Sequence, residues 1–195
     1  MSVMILPAAI VVSLFASEIL FLWTSDPVTV ANTHMIVSIL IIGSALNGLM
    51  NLPYGLQLAH GWTKLALYTN LIALIILVPM IYLLAMRYGP VGAACSWLIL
   101  NSGYVLISIQ IMHRRLLPDE KWRWYFHDVA VPLVSAITVA AVWRLFLPSE
   151  MSRVGMFIYL FGISTTTLLA SAVATSVTRQ WLNQMFVLLK AMYEK

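Results

Sequence analysis

Charge is scarce in this chain: Asp, Glu, Lys and Arg make up 9% of its 195 residues, against about 25% in soluble domains. That little charge, with 62% apolar residues and a mean hydropathy of +0.92, cannot clothe a water-facing surface. A soluble domain of this length buries only about 70% of its area, so the remainder here must face something other than water. Cysteine is nearly missing as well. Cys95 stands alone, which excludes an intramolecular disulfide and any cysteine-built metal cluster. His34, His60, His113 and His127 are scattered without ligand-like spacing, so no metal site is expected. The seven carboxylates form no Asp-rich cluster, and there is no phosphate-cradling glycine loop, HExxH pattern or GxSxG elbow; the expectation is a protein without enzymatic activity or cofactor. A net charge of +4 and a pI near 9.4 raise nucleic acid as a partner. The basic residues lie in short segments between apolar runs rather than on one continuous face, so that partner is set aside.

What fills the chain is six long apolar runs, at 3–23, 35–59, 65–86, 91–113, 129–147 and 154–176. Each is close to the roughly 20 residues with which an α-helix crosses a ~30 Å hydrocarbon core. Lipid offers a backbone no hydrogen-bond partner, so a spanning segment must satisfy its own amides and carbonyls. The expected fold is therefore all-α: a polytopic membrane protein of six transmembrane helices. Residues 1–177 form the bundle, and 178–195 a cytoplasmic amphipathic tail in which Trp181, Met185, Leu188, Leu189 and Met192 recur at helical spacing.

Orientation follows from the cations. With the N-terminus inside, Lys64, Arg114, Arg115, Lys121, Arg123, Arg179, Lys190 and Lys195 fall in the cytoplasm and only Arg87, Arg144 and Arg153 outside, as the positive-inside rule favours. Both termini are then cytoplasmic. Trp23, Trp62, Tyr88, Trp122, Trp124, Tyr125 and Trp181 fall at run ends, where aromatic rings anchor at head-group level. Met1-Ser2-Val3-Met4 lacks the positive charge that opens a secretory signal, so the first run reads as a retained span. Segment 116–128, with Pro118 at its start and Trp122, Trp124, Tyr125 and Phe126 among charges, suits a short element in the cytoplasmic interface, or a dock for a cytoplasmic enzyme.

Polar residues within the runs are few and patterned. Asn47, Asn51, Tyr54 and Gln57 share one helical face, with Pro53 interrupting the bonding there; Trp97, Asn101, Tyr104 and Ser108 share another. Such faces point inward, either lining a water-filled cavity that touches a polar solute or bonding neighbouring helices. Aromatic rings beside amides suit a sugar, which offers a C–H face and hydroxyls, and suit ordinary packing equally. Ser164, Thr165, Thr166, Thr167, Ser171, Thr175 and Ser176 read as structural, bonding back to their own helix. Glu18 and Arg144, the charged side chains within the runs proper, lie toward the outer ends. Separate extension of each to the interface is the leading expectation, and a mutual pair at the outer mouth of a cavity the alternative.

The segment Leu52-Pro53-Tyr54-Gly55-Leu56-Gln57-Leu58-Ala59-His60-Gly61, the following run with Asn70 and Pro79, then Tyr88-Gly89-Pro90-Val91-Gly92-Ala93-Ala94 and a helix ending His113-Arg114-Arg115-Leu116 resemble a known family. With the opening Glu18-Ile19-Leu20-Phe21-Leu22-Trp23, they look like the C-terminal half of bacterial polysaccharide biosynthesis proteins. These are the Wzx-like O-antigen flippases of the multidrug/oligosaccharidyl-lipid/polysaccharide exporter superfamily. The resemblance implies one lobe of a MATE-like exporter in the bacterial inner membrane. It also implies transfer of a lipid-linked oligosaccharide between leaflets for lipopolysaccharide, capsule or exopolysaccharide synthesis. Family members place two bundles of about six helices around a cavity. This chain matches one, so the partner is an N-terminal half or a second copy, besides membrane lipid and polysaccharide synthesis enzymes. The alternatives are a cation-coupled exporter of small amphiphiles and a non-transporting assembly subunit.

Reporter fusions at Lys121 and Lys195 are expected to read out on the same, cytoplasmic face, and fusions at Arg87 on the other.

Overall fold

The computed structural model describes residues 1–117, 120–148 and 151–175, and within these every element is helical. The amphipathic tail with Trp181 and Met185, together with Pro118, lies outside the described residues. Four helices are long and apolar enough to cross a membrane: Pro27–Ala59, Thr63–Leu116, Lys121–Leu145 and Arg153–Ala174. The pair Ser2–Leu14 and Ala16–Thr24, bent by 74°, makes a fifth if it counts as one span. The protein is thus an all-helical, multi-pass membrane protein.

Helices α1 (Ser2–Leu14) and α2 (Ala16–Thr24) part at Phe15, whose backbone leaves the helical region at φ −116°, ψ 27°. Neither proline nor glycine sits at the break. Phe15 itself is fully buried in a cluster with Val11, Ala140, Leu160 and Ile163, so apolar packing accompanies the local loss of helix geometry. Ser38 Oγ donates to the Ser13 carbonyl at 2.8 Å, supplying a partner beside the break.

Helix α3 (Pro27–Leu49) starts eight residues before its apolar run because Asp26 caps it, with Pro27 in the first turn. The Asp26 carboxylate accepts the Thr29 hydroxyl and the amides of Val28 and Thr29. Those bonds, the Thr29 hydroxyl foremost, hold its pKa below the ordinary carboxylate value. The cap therefore contributes fully above that ordinary value and is lost as pH falls through the depressed one. α3 gives way at Met50 to α4 (Asn51–Ala59), where the ring of Pro53, in the first turn, cannot follow an unbroken helix.

The run Thr63–Leu116 has 54 residues, about 80 Å if straight and far more than one crossing requires. It folds back. Within α5 (Thr63–Gly103), Gly89 adopts φ 63°, ψ −147°, a region open in practice to glycine alone. Gly92, one turn later, lies so close to the Leu84 carbonyl that a Cβ there would collide with it. The outcome is a tight hairpin of two arms, 63–88 and 90–116, with Asn70 on the first facing Tyr104 on the second. The second arm includes a π-helical turn, Tyr104–Ser108, and α6 (Ile109–Leu116).

Residues 121–145 form one unbroken helix: α7 (Lys121–Arg123), a π-helical stretch Trp124–Ala130 and α8 (Val131–Leu145). This corrects the expectation of a separate interfacial element. Tyr125 donates to the Val105 carbonyl at 2.6 Å, in the π-helical turn of the second arm, and Lys121 Nζ donates to Gln110 Oε1 at 2.8 Å. Tyr125 and Lys121 are thereby docked on the second arm, whereas Trp122, Arg123 and Phe126 stay exposed. α9 (Arg153–Ala174) packs on α8, where Ser171 Oγ meets Ser135 and the Pro132 carbonyl. Ser164, Thr165, Thr166 and Thr175 bond back to their own helix.

α1 occupies the middle, against α3, α8 and α9, and α3 in turn packs on the second arm of the hairpin. The α3 seam is close: a Cβ at Gly43 would lie 2.7 Å from Trp97 Cδ1 and 3.2 Å from Leu98 Cα. Beside it Trp97 Nε1 donates to Ser44 Oγ at 3.3 Å, Asn47 Nδ2 to Asn101 Oδ1 at 2.8 Å, and Asn101 Nδ2 to the Trp97 carbonyl at 2.8 Å. Gly43→Leu is expected to lower thermal stability in detergent by about 1–3 kcal/mol through overpacking. Asn101→Leu, by removing an interhelical amide pair, should cost less, about 1 kcal/mol. Gly55→Leu, where nothing lies within 4 Å of the Cβ, should change little.

A candidate substrate chamber at the polar face of α3, α4 and the hairpin

The face predicted from Asn47, Asn51, Tyr54 and Gln57 does assemble. The break at Met50 leaves α3 and α4 sharing one wall, and the hairpin supplies the other through Asn70 and Tyr104, enclosing a cavity of about 220 Å³. Thr69 and Ser108 complete its polar lining. The chamber therefore carries four side-chain amides and four hydroxyls, and no charged side chain among the described residues lines it. Each amide offers donors and an acceptor, whereas a hydroxyl is both at once. Such a lining matches a neutral, hydroxyl-rich group better than an ion, whose charge would be desolvated without a counter-charge.

Gln57 is the chamber's most informative residue. Its side chain is 3% exposed, yet Oε1 has no hydrogen-bond partner among the described residues. An unpaired buried acceptor costs about 1–3 kcal/mol, which makes Gln57 Oε1 a group in want of a donor beside the chamber. Asn47 is committed in part, through its bond to Asn101, and Tyr104 donates to Asn70 Oδ1 at 3.2 Å, closing one side of the chamber.

Trp97 and Asn101 do not line the chamber. Asn101 is fully buried in the α3 seam, and Trp97 lies further along it on Ser44. Their stripe therefore divides: Tyr104 and Ser108 face the cavity, whereas Trp97 and Asn101 join helices. Asn70 and Thr69 were missed by stripe counting. They form the one amide and hydroxyl pair in the apolar run 65–86, an isolated polarity that could have marked them.

Glu18 and Arg144 meet directly, which corrects the expectation of two separately extended side chains. Arg144 donates to Glu18 Oε1, Ser17 Oγ donates to Glu18 Oε2 at 2.8 Å, and the guanidinium lies 5.3 Å from the centre of the Phe15 ring. The Glu18 side chain is 13% exposed and the Arg144 side chain 41%. A smaller cavity of about 140 Å³ adjoins Glu18, Tyr159 and Leu160. The pair ties α2 to α8 beside the Phe15 break, and the chamber lies at the other end of α3. No group of three or more potential metal ligands occurs among the described residues.

No family model matches the chain, and no solved structure matches it. Over 92 residues it is 28% identical to a Shigella flexneri protein described as "Putative O-antigen transporter". The match covers 47% of this chain and 22% of that protein, so the aligned part spans about a fifth of its relative's length. The chain is therefore similar, at a distance, to a polysaccharide-related transporter.

Proposed function

We propose that this chain forms one lobe of a flippase for lipid-linked oligosaccharides, serving lipopolysaccharide, capsule or exopolysaccharide synthesis at the bacterial inner membrane. The observation that carries the reading is the uncharged, amide- and hydroxyl-lined chamber with its buried unpaired acceptor on Gln57. The distant similarity to the Shigella flexneri protein points the same way. The two arms that meet at Gly89, taken as separate spans, and the bent α1–α2 pair, taken as one, are compatible with six crossings, and the cation distribution then favours cytoplasmic termini.

The physical task is the transfer of a sugar through hydrocarbon. Each hydroxyl stripped of water without replacement costs several kcal/mol, and a polar groove at membrane depth replaces those bonds. In this reading Asn51, Tyr54, Gln57 and Asn70 take hydroxyls, and Asn47 and Tyr104 hold the walls. The chain acts without a cofactor or chemical step. The groove-facing side of a single lobe needs cover, from an N-terminal half or a second copy, and transport requires both. The lack of a charged wall among the described residues weighs against cation-coupled export of small amphiphiles.

The test follows delivery of labelled lipid-linked sugar to the outer leaflet in cells that carry the chain and its partner lobe. Gln57→Leu is expected to cut delivery about tenfold, the equivalent of one or two lost hydrogen bonds. The same variant should hold or raise thermal stability by up to ~1 kcal/mol, because it removes a buried unpaired acceptor. Unchanged delivery with Gln57→Leu and Asn51→Leu together would overturn the reading.

A further inference from the structure

The polar chamber has an apolar neighbour. Along the seam between the two hairpin arms, Ile72, Ile76, Met80, Ile99 and Ile107 line a groove of about 320 Å³. Ile72, Ile76, Ile99 and Ile107 are each more than half exposed, so the groove opens sideways, toward the surroundings of the bundle. Two small residues shape it. Ala73 lies on one arm and Gly103 on the other, and a Cβ at Gly103 would meet nothing within 4 Å. Thr69, Tyr104 and Ser108 belong to the walls of both spaces. Chamber and groove therefore lie back to back, and the bond from Tyr104 to Asn70 sits at their boundary.

We propose that the chamber and the groove are two parts of one amphiphile site, in which a neutral hydroxylated head enters the chamber and the single hydrocarbon chain attached to it lies in the groove. This rests on the chamber reading given above and adds the seat of the chain. The abrupt change from amides to isoleucines across three shared residues matches a ligand with the same change along its length. A free sugar would leave the groove unused. An ordinary bilayer chain would leave the Gln57 acceptor unmatched. Because the chain exchanges one apolar medium for another, the groove adds little affinity of its own. Its contribution is positional: it keeps the head beside the chamber, raising the local concentration there. The few contacts that bind the first arm allow lateral entry, since Leu65 and Ala73 are its buried members.

The experiment uses the full chain in phosphatidylcholine nanodiscs with a dodecyl maltoside carrying a mid-chain diazirine, irradiated and mapped by peptide mass spectrometry. A phosphocholine bearing the same chain reports ordinary bilayer contact. The maltoside is expected to label 72–80 and 99–107 more strongly than the phosphocholine does. Gly103→Leu should lower that labelling about tenfold by filling the groove, and Gly55→Leu, outside both spaces, should not. Ile76→Phe fills the groove from the opposite arm and serves if Leu at 103 disturbs the hairpin. Equal labelling by the two probes, or full labelling in both groove-filling variants, would overturn the proposal and leave only bilayer contact. If Gln57→Leu stops sugar delivery while Gly103→Leu and Ile76→Phe alter neither labelling nor delivery, the chamber reading stands and the groove assignment falls. If Gln57→Leu leaves delivery intact, it is the chamber reading that falls.

Discussion

A backbone in hydrocarbon has no partner but itself, and almost every feature of this protein is a response to that condition. Helices take up the amides and carbonyls. Where a helix stops or changes pitch, a side chain steps in: Ser38 beside the break at Phe15, Tyr125 at the π-helical turn, Asp26 at the start of α3. Ser164, Thr165 and Thr166 in α9, and Thr175 at its end, return to their own helix's carbonyls, and Asn47 donates to Asn101 across the α3 seam. Among the described residues two buried side-chain oxygens stand outside this pairing, Thr167 Oγ1 in α9 and Gln57 Oε1, and of the two Gln57 belongs to the cavity wall.

The chamber depends on one reversal of the chain. Asn47, Asn51, Tyr54 and Gln57 run along α3 and α4 on either side of Met50, and the reversal at Gly89 brings Asn70 back to the level of Tyr104. Neither side of the cavity exists in a single element. The same hairpin forms the groove beside it, so one glycine-governed turn shapes both a polar and an apolar space.

Much of this was legible in the sequence, for physical reasons that also explain the failures. Apolar length is a direct consequence of bilayer thickness, so the runs are mainly helical where they are described, and Tyr88-Gly89-Pro90 marked the reversal because glycine and proline restrict or release the backbone locally. Helical spacing grouped Asn47, Asn51, Tyr54 and Gln57, and these four line one cavity. It could not say what would cover each face, and hence Trp97 and Asn101 went to a helix seam while Tyr104 went to the cavity. The break at Phe15 left no local sign, since packing with Val11 and Ala140 accompanies it. The ion pair was hidden for another reason. Glu18 and Arg144 are separated by 126 positions, and periodicity carries no information at that range.

The central place of α1 bears on how the bundle is made. α1 contacts α8 and α9, which lie far along the chain from it, as well as α3. Its apolar cluster, with Phe15 against Ala140, Leu160 and Ile163, cannot close until most of the polypeptide has been synthesised. In the meantime α1 has α3 as its neighbour, while the hairpin can form from its own sequence soon after translation passes Leu116. The hairpin thus closes through contacts near in sequence, whereas the cluster around Phe15 needs contacts of long range, whose loop-closure cost is the larger.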